Sequence, residues 1–188
     1  MLKLANPTMI RLLKIWLYLN LIGCMILGQL AFAGPHQDAM KLLRQDKSEE
    51  AFELVQNYLK EHPLDPQMRF WMANLLEKKA ATDQAFDIYL QLTQDYPELA
   101  EPHNNLGILW VQKGELLNAK ASFEMALKDA PNLVNAQENL ASVFLLLSRA
   151  SLLKAQSMDP QSRAIPAKLK SISSVIDQFS TLSSAGIH

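Results

Sequence analysis

Asparagine side chains recur in the middle of the chain, where they could act together on a ligand. Asn105 and Asn139 are separated by one step of the repeat described below, and Asn74 and Asn104 lie in the same part of the sequence. An amide both donates and accepts hydrogen bonds, so it can pair with the main chain of an extended peptide without requiring a particular side chain. Whether these amides bind a polypeptide depends on the elements that position them.

The sequence lacks the patterns that catalysis and metal binding require. Its histidines have no metal-ligand spacing, and they are His36, His62, His103 and His188. There is no His-Glu-x-x-His motif, no pair of cysteines and no glycine-rich phosphate loop. We therefore expect a protein that is not an enzyme and that needs no cofactor and no metal.

Composition narrows the class of partner. The 188 residues include 18 basic and 19 acidic side chains, and 49% of them are hydrophobic. This near-neutral balance argues against a nucleic-acid-binding protein, which would carry a basic stripe. The expected partner is therefore a protein or a peptide.

One fixed period organises the centre of the chain. Four pairs of equivalent residues are separated by the same step, namely Ala73 and Gly107, Ala85 and Ala119, Tyr89 and Phe123, and Pro97 and Pro131. The stretch 100–133 adds Leu106, Trp110 and Ala126 to the pattern. Small residues let two helices approach, large residues fill the space between them, and proline ends a helix because it lacks an N–H group. Gly114 can take a positive φ in the turn between the two helices.

This spacing strongly resembles that of the tetratricopeptide repeat (TPR), a hairpin of two helices that comprises about 34 residues. The resemblance implies an all-α fold, a right-handed superhelical solenoid of antiparallel helix pairs with a C-terminal capping helix. It places TPR repeats at 66–99 and 100–133. A weaker repeat at 34–65 keeps the same step at Ala39, Ala51 and Pro63.

The fourth unit, 134–160, is shorter than the pattern requires. Its beginning matches a first helix at Leu140, Ala141 and Phe144, but Pro160 arrives too early. Because no Gly or Pro interrupts the chain between positions 135 and 159, we predict that the two helices fuse into one long helix. A tight turn near Ser148 is the alternative.

The residues after Pro160 predict a last helix. Apolar residues recur there at helical spacing, at Ile165, Leu169, Ile172, Ile176 and Phe179. We predict a capping helix over 161–181 that lays its apolar side on the last repeat. The serine-rich tail, 182–188, is expected to be disordered.

The resemblance also implies where a partner binds. In TPR proteins the first helices line a concave groove, and asparagines there bind the backbone of an extended peptide. The residues placed in such a groove are Phe70, Asn74, Asn104, Asn105, Asn135 and Asn139. The alternatives are that the amides cap or bridge neighbouring helices and that Phe70 packs against a neighbouring helix.

One mode of TPR recognition is not expected. Family members that clamp a C-terminal carboxylate also need Lys or Arg at inner positions of the first helices. When Ala100 is counted as the first position of its repeat, the second and fifth positions of the four units carry no Lys or Arg.

Residues 1–33 have the three parts of an export signal. Lys3, Arg11 and Lys14 precede an apolar run from Ile15 to Ala33, and Ala31-Phe32-Ala33 offers small residues for cleavage before Gly34. Two alternatives stay open. The apolar run is close to the ~20 residues that span a bilayer, so it could remain as an anchor. Leu21-Ile22-Gly23-Cys24 also resembles a lipobox, which would make Cys24 an acylated residue.

The whole arrangement resembles small exported TPR proteins of Gram-negative bacteria, some of which are described as similar to pilus-assembly factors. The resemblance implies a non-enzymatic periplasmic adaptor that binds a peptide or helix of a partner and helps to assemble an envelope complex. The alternative is a membrane-anchored or lipidated assembly factor. The membrane is a partner only if the N-terminal segment is retained.

Overall fold

A computed structural model describes residues 34–185, and within that range every regular element is an α-helix. The predictions of a signal peptide, an anchor and a lipidated Cys24 fall on residues 1–33 and therefore lie outside the described residues. The helices are α1 (Pro35–Arg44), α2 (Ser48–Glu61), α3 (Pro66–Lys78), α4 (Thr82–Asp95), α5 (Ala100–Gln112), α6 (Leu116–Asp129), α7 (Val134–Met158) and α8 (Ala164–Ala185).

The chain divides into two compact units, residues 1–63 and residues 64–188. In the first unit, α1 and α2 form one helix hairpin whose core contains the fully buried Ala39, Ala51 and Val55. Ala39 and Ala51 are the small residues that the repeat period predicts at the helix contact. This unit therefore has the expected hairpin of a first repeat.

In the second unit, α3 packs on α4 and α5 packs on α6 as two helix hairpins. Each second helix ends shortly before a proline, at Asp95 before Pro97 and at Asp129 before Pro131. Proline disfavours helical geometry in the residue that precedes it, which accounts for this common end point. The predicted TPR hairpins are confirmed.

The turns inside the hairpins repeat the period in their backbone. Asp46, Ala80 and Gly114 are the described residues with positive φ, at 55°, 58° and 77°, and they occupy equivalent positions of successive repeats. In this left-handed conformation the residue ends a first helix and reverses the chain. The positive φ predicted for Gly114 is confirmed. Asp46 and Ala80 take the same conformation although residues with a Cβ rarely adopt it.

In the third repeat the two helices are in contact where one aromatic ring packs on one glycine. A Cβ atom on Gly107 would lie 2.6 Å from Cε1 of Phe123, whose side chain is 1% exposed. Trp110 packs beside this core and meets the ring of Phe86 edge-on, with 4.7 Å between the ring centroids. The absence of a side chain at Gly107 is therefore what lets α5 and α6 approach so closely.

The fourth unit is one continuous helix, α7, as its shortened length predicts. The alternative turn near Ser148 is wrong, because the helix passes through that residue without interruption. Leu140 and Val143 are buried against Ala119 and Phe123 of the third repeat. Phe144, in contrast, is 46% exposed, although it matches the position of Trp110. No second helix folds back from Ser148 to cover it, because the turn is lost.

The last helix, α8, packs on α7 as the predicted cap. Its apolar residues Ile165, Leu169, Ile172 and Ile176 are half-buried. The helix extends to Ala185, so residues 182–185 belong to it and not to the predicted disordered tail. The helix α8 continues this far because no Gly or Pro follows Pro166 until Gly186. Among residues 34–185, no helix combines the length and the apolar character needed to cross a membrane.

Candidate functional site

The candidate site lies on the first helices of the second unit, α3, α5 and α7. The start of α3 is fixed by Asp65, whose carboxylate accepts a hydrogen bond from the N–H of Met68 at 2.9 Å, and by Pro66 in the first turn. An acidic N-cap and a proline in the first turn both favour helix initiation. The repeat period then places equivalent residues of the three helices side by side.

Four asparagines from these three helices form one chain of hydrogen bonds, which we call the amide ladder: Asn74, Asn104, Asn105 and Asn139. Asn139 Nδ2 donates to Asn104 Oδ1 at 3.0 Å, and Asn104 Nδ2 donates to Asn105 Oδ1 at 3.1 Å. Asn105 Nδ2 then donates to Asn74 Oδ1 at 3.1 Å. The donors all point in the same sense, from α7 through α5 to α3. These bonds join α7 to α5 and α5 to α3, so the alternative that the amides bridge neighbouring helices is observed in the structure.

The α3 end of the ladder is hydrogen-bonded to a buried tyrosine. Tyr89, on α4, donates its hydroxyl hydrogen to Asn74 Oδ1 and accepts a hydrogen bond from Asn105 Nδ2 at 3.1 Å. Burial raises the pKa of the Tyr89 hydroxyl, so the group stays neutral and remains a donor. The repeat pattern predicts only a packing role for Tyr89. Its hydroxyl, compared with Phe123 at the equivalent position, was the available signal.

A carboxyl group that the repeat pattern does not predict lies beside this cluster. Burial raises the pKa of the half-buried Glu77, and the nearby Tyr89 hydroxyl partly opposes that increase. Its Oε1 atom is buried and has no hydrogen-bond partner in the described part of the chain. The signal was an acidic residue where the third repeat has Val111. Burial thus raises the pKa of two ionisable groups, Glu77 and Tyr89, at the α3 end of the ladder.

The ladder amides differ in what they can offer a partner. Asn104 is only 3% exposed, so it orients its neighbours and does not face a ligand. Asn74, Asn105 and Asn139 are half-buried. Within residues 34–185, Asn74 Nδ2 and Asn139 Oδ1 have no hydrogen bond. The ladder therefore presents a donor at its α3 end and an acceptor at its α7 end.

The two remaining predicted residues lie beside the ladder and are not part of it. Asn135 is exposed, and its Oδ1 accepts a hydrogen bond from the N–H of Ala136 at 2.9 Å. It lies one helical turn before Asn139, hence on the same side of α7. The half-buried ring of Phe70 lies 5.9 Å from that of Tyr89, measured between ring centroids. Phe70 thus packs against the second helix of its own hairpin and also borders the surface.

Phe70 forms one wall of a small opening between the starts of α3 and α5, which we call the apolar cleft. Its volume is about 190 Å³, and its lining consists of Pro66, Gln67, Phe70, Leu99, Glu101 and Pro102. Prolines, a phenylalanine and a leucine make the walls mostly apolar. Gln67 and Glu101 supply polar groups at its edge, where Glu101 is exposed.

The charges on this surface are negative. Glu101 and Glu138 are exposed, and neither forms an ion pair with a described residue. Arg69, next to Phe70, is turned towards α4, where it bonds Asp95 at 2.7 Å and Gln91 at 3.2 Å. The surface therefore favours a cationic over an anionic ligand.

A lysine near the end of α5 is likewise engaged. Lys113 pairs with Asp83 at 2.8 Å, and this lysine lowers the pKa of the Asp83 carboxyl. The same ammonium group lies 5.0 Å from the centroid of the Phe86 ring. Its charge is therefore directed at the second helix of the preceding hairpin and does not offset the carboxylates of Glu101 and Glu138.

The described residues do not meet the requirements of a metal site. No group of three or more His, Cys, Asp and Glu side chains among them could hold a metal ion. His103 is 7% exposed, and its Nε2 lies 3.0 Å from the carbonyl oxygen of Pro97. This histidine is therefore a buried helix residue that contacts the loop before α5.

Helix hairpins with this period, turn geometry and core define a protein of the TPR fold. The curated relatives include the human protein O-mannosyl-transferase TMTC1, which is 29% identical over 110 residues. Those residues are 56% of this chain and 12% of the human protein, so the chain spans only a small part of the relative that it matches. No family model matches the chain.

Solved structures agree on the fold. The first TPR domain of Spaghetti (RPAP3), bound to the HSP90 peptide SRMEEVD, superposes with a TM-score of 0.55 and 18% identity. That match covers 60% of this chain and 89% of the domain. PilF of Pseudomonas aeruginosa superposes with a TM-score of 0.54 and 16% identity, over 81% of this chain and 74% of PilF. At these identities the likeness shows the fold alone.

Proposed function

We propose that the chain is a non-enzymatic adaptor that binds an extended peptide of a partner protein across α3, α5 and α7. The observation that supports this function is the amide ladder, which crosses three successive first helices and leaves a donor and an acceptor without partners at its ends, among the described residues. An extended peptide presents N–H and C=O groups along its length, and it can satisfy both. The RPAP3 domain, of the same fold, is bound to a peptide.

We assign an adaptor role and not a transferase activity to this chain. The region similar to TMTC1 makes up 12% of that protein. The described surface offers amides, an apolar cleft and exposed carboxylates, without a group of side chains that could hold a metal ion in residues 34–185. Such a surface is suited to recognition of a polypeptide.

The place of action that we propose is the bacterial periplasm, where the adaptor would help to assemble an envelope complex. The support is the sequence of residues 1–33, with its basic start, apolar run and small residues before Gly34. Retention of that segment, or acylation of Cys24, defines the alternative, a membrane-bound assembly factor. Intact mass and fractionation in a bacterial host separate the three forms, because only cleavage yields a periplasmic species that begins at Gly34.

The binding surface is tested by removing an end of the ladder. Asn139→Ala deletes the unpartnered acceptor and the donor to Asn104, and we expect it to weaken partner binding by roughly fivefold to tenfold. The matched control is Asn118→Ala, which removes an exposed asparagine from α6. Binding is measured on the partner recovered by crosslinking from the bacterial host, and circular dichroism checks that both variants fold. Equal binding by the two folded variants would remove the support for this function.

A further inference from the structure

The apolar cleft carries an inference about the chemistry of the ligand, which rests on the proposed function. Its volume of about 190 Å³ is close to that of an engineered cavity of about 150 Å³ that holds benzene. It is therefore large enough for one apolar side chain and too small for a folded element. Pro66, Phe70, Leu99 and Pro102 supply the apolar walls that such a side chain requires.

The cleft lies near the amide ladder. Phe70 forms its wall on one side and packs on Tyr89 on the other, and Tyr89 bonds both Asn74 and Asn105. Phe70 and Asn74 are four residues apart on α3, and Glu101 and Asn105 are four residues apart on α5, so the cleft lies one helical turn from the ladder on the same side of both helices. The contact between Phe70 and Tyr89 fixes the cleft relative to the ladder.

The carboxylates on either side of this path give the ligand a charge. Glu101 lies at the edge of the cleft, and Glu138 lies on α7 at the position that Phe70 occupies on α3. Both are exposed, neither has an ionic partner among the described residues, and the nearby Arg69 is held by Asp95. An acidic ligand would meet uncompensated repulsion here, whereas a cationic one would be attracted.

We propose that the ligand is an extended segment that inserts one apolar side chain into the cleft and pairs a lysine or arginine with the carboxylates of Glu101 and Glu138. Packed helices lie about 8–10 Å apart, and an extended chain advances ~3.3 Å per residue. The basic residue is therefore separated from the apolar residue by about three positions. This preference is opposite in charge to the recognition of an acidic peptide.

The probe is a display library of random nonapeptides selected on the full chain in mild detergent, followed by fluorescence anisotropy on the selected peptides. We expect peptides with an apolar residue and a Lys or Arg about three positions apart. Phe70→Ala should raise their Kd by roughly tenfold, as the loss of an aromatic anchor does. Glu101→Gln should raise the Kd by about threefold to fivefold, whereas Glu98→Gln, an exposed carboxylate in the preceding loop, should leave it unchanged.

Reversing the charge at position 101 gives a test that misfolding cannot mimic, because a misfolded variant would not regain binding to a peptide of opposite charge. Glu101→Lys changes an exposed residue, and it should weaken binding of the selected peptides but restore binding when their Lys or Arg is replaced by Glu. Selection of acidic peptides, selection of none, or indifference to the substitutions at Phe70 and Glu101 would overturn the inference. If binding still depended on Asn139, the proposed function would survive that failure. If binding depended on none of these residues, the proposed function and the inference about the ligand would both be contradicted.

Discussion

The third repeat and the fourth unit carry similar residues at equivalent positions of their first helices but fold differently. Gly107 and Trp110 correspond to Ala141 and Phe144, one repeat period later in the chain. In the third repeat the ring of Phe123 closes over Gly107, whereas in the fourth unit α7 continues and Phe144 is 46% exposed. The same pattern on a first helix thus gives a closed core only when a second helix folds back over it.

The difference begins at one position in the turn. Gly114 takes a positive φ and ends α5, and its equivalent Ser148 lies inside α7. A Cβ alone does not prevent the turn, because Asp46 and Ala80 take a positive φ at the equivalent positions. The shortened chain around Ser148 has fewer residues with which to form a turn and a second helix. The lost hairpin is replaced by α8, which packs on the extended α7. The contrast can be tested with pairs of equivalent substitutions.

The largest difference in stability is expected when the aromatic rings of the two units are removed. Phe123→Ala removes a ring that is 1% exposed and should cost about 3–5 kcal/mol of unfolding free energy. Phe144→Ala removes a ring that is 46% exposed and should cost less than about 1 kcal/mol. Thermal unfolding followed by circular dichroism measures both. Equal costs would mean that the fourth unit is as closed as the third.

A second pair probes the space beside the small residue. Gly107→Leu forces a side chain into the ring of Phe123 and should lower the stability by roughly 2–3 kcal/mol, as overpacking does. Ala141→Leu should change the stability by less than about 1 kcal/mol, since Ala141 is only half-buried. Urea unfolding of the two variants gives the comparison. An unchanged midpoint for Gly107→Leu would contradict the close approach of α5 and α6.

The pair of substitutions with the smallest expected effect on stability lies at the turn position. Gly114→Ala introduces a Cβ at a φ of 77° and should destabilise the protein by about 1 kcal/mol, although no atom beyond the adjoining residues lies within 4 Å of the added carbon. Ser148→Ala should have the opposite sign and stabilise by up to ~0.5 kcal/mol, because alanine is the better helix former. Differential scanning calorimetry resolves such shifts. A destabilising Ser148→Ala would indicate that Ser148 has a role beyond that of a helix residue.

The hairpins could be predicted because their determinants are local. Small residues, large residues and prolines in fixed order specify where two helices touch and where the second one ends, as at Pro97 and Pro131. The loss of the fourth turn was also predictable from the shortened unit. The positive φ of Ala80 was not, because an alanine gives no sign of the left-handed conformation that its position requires.

The ladder itself could be predicted only in outline. The resemblance to TPR proteins predicts that Asn74, Asn105 and Asn139 share one surface, but their hydrogen-bond partners depend on side-chain conformations across three helices. The part played by Tyr89 depends on a contact between α3 and α4 that no single helix reveals. Asn104 was predicted as a contact residue, but at 3% exposure it holds its neighbours in place.

Site-specific photocrosslinking in a bacterial host tests the central claim, that a partner binds across α3, α5 and α7. A benzoylphenylalanine at Asn135 lies on the proposed surface, whereas one at Leu117, which is 71% exposed on α6, lies on a second helix. We predict an adduct with another polypeptide from position 135 and none from position 117. Adducts from position 117 alone, or equally from both, would contradict the proposed surface.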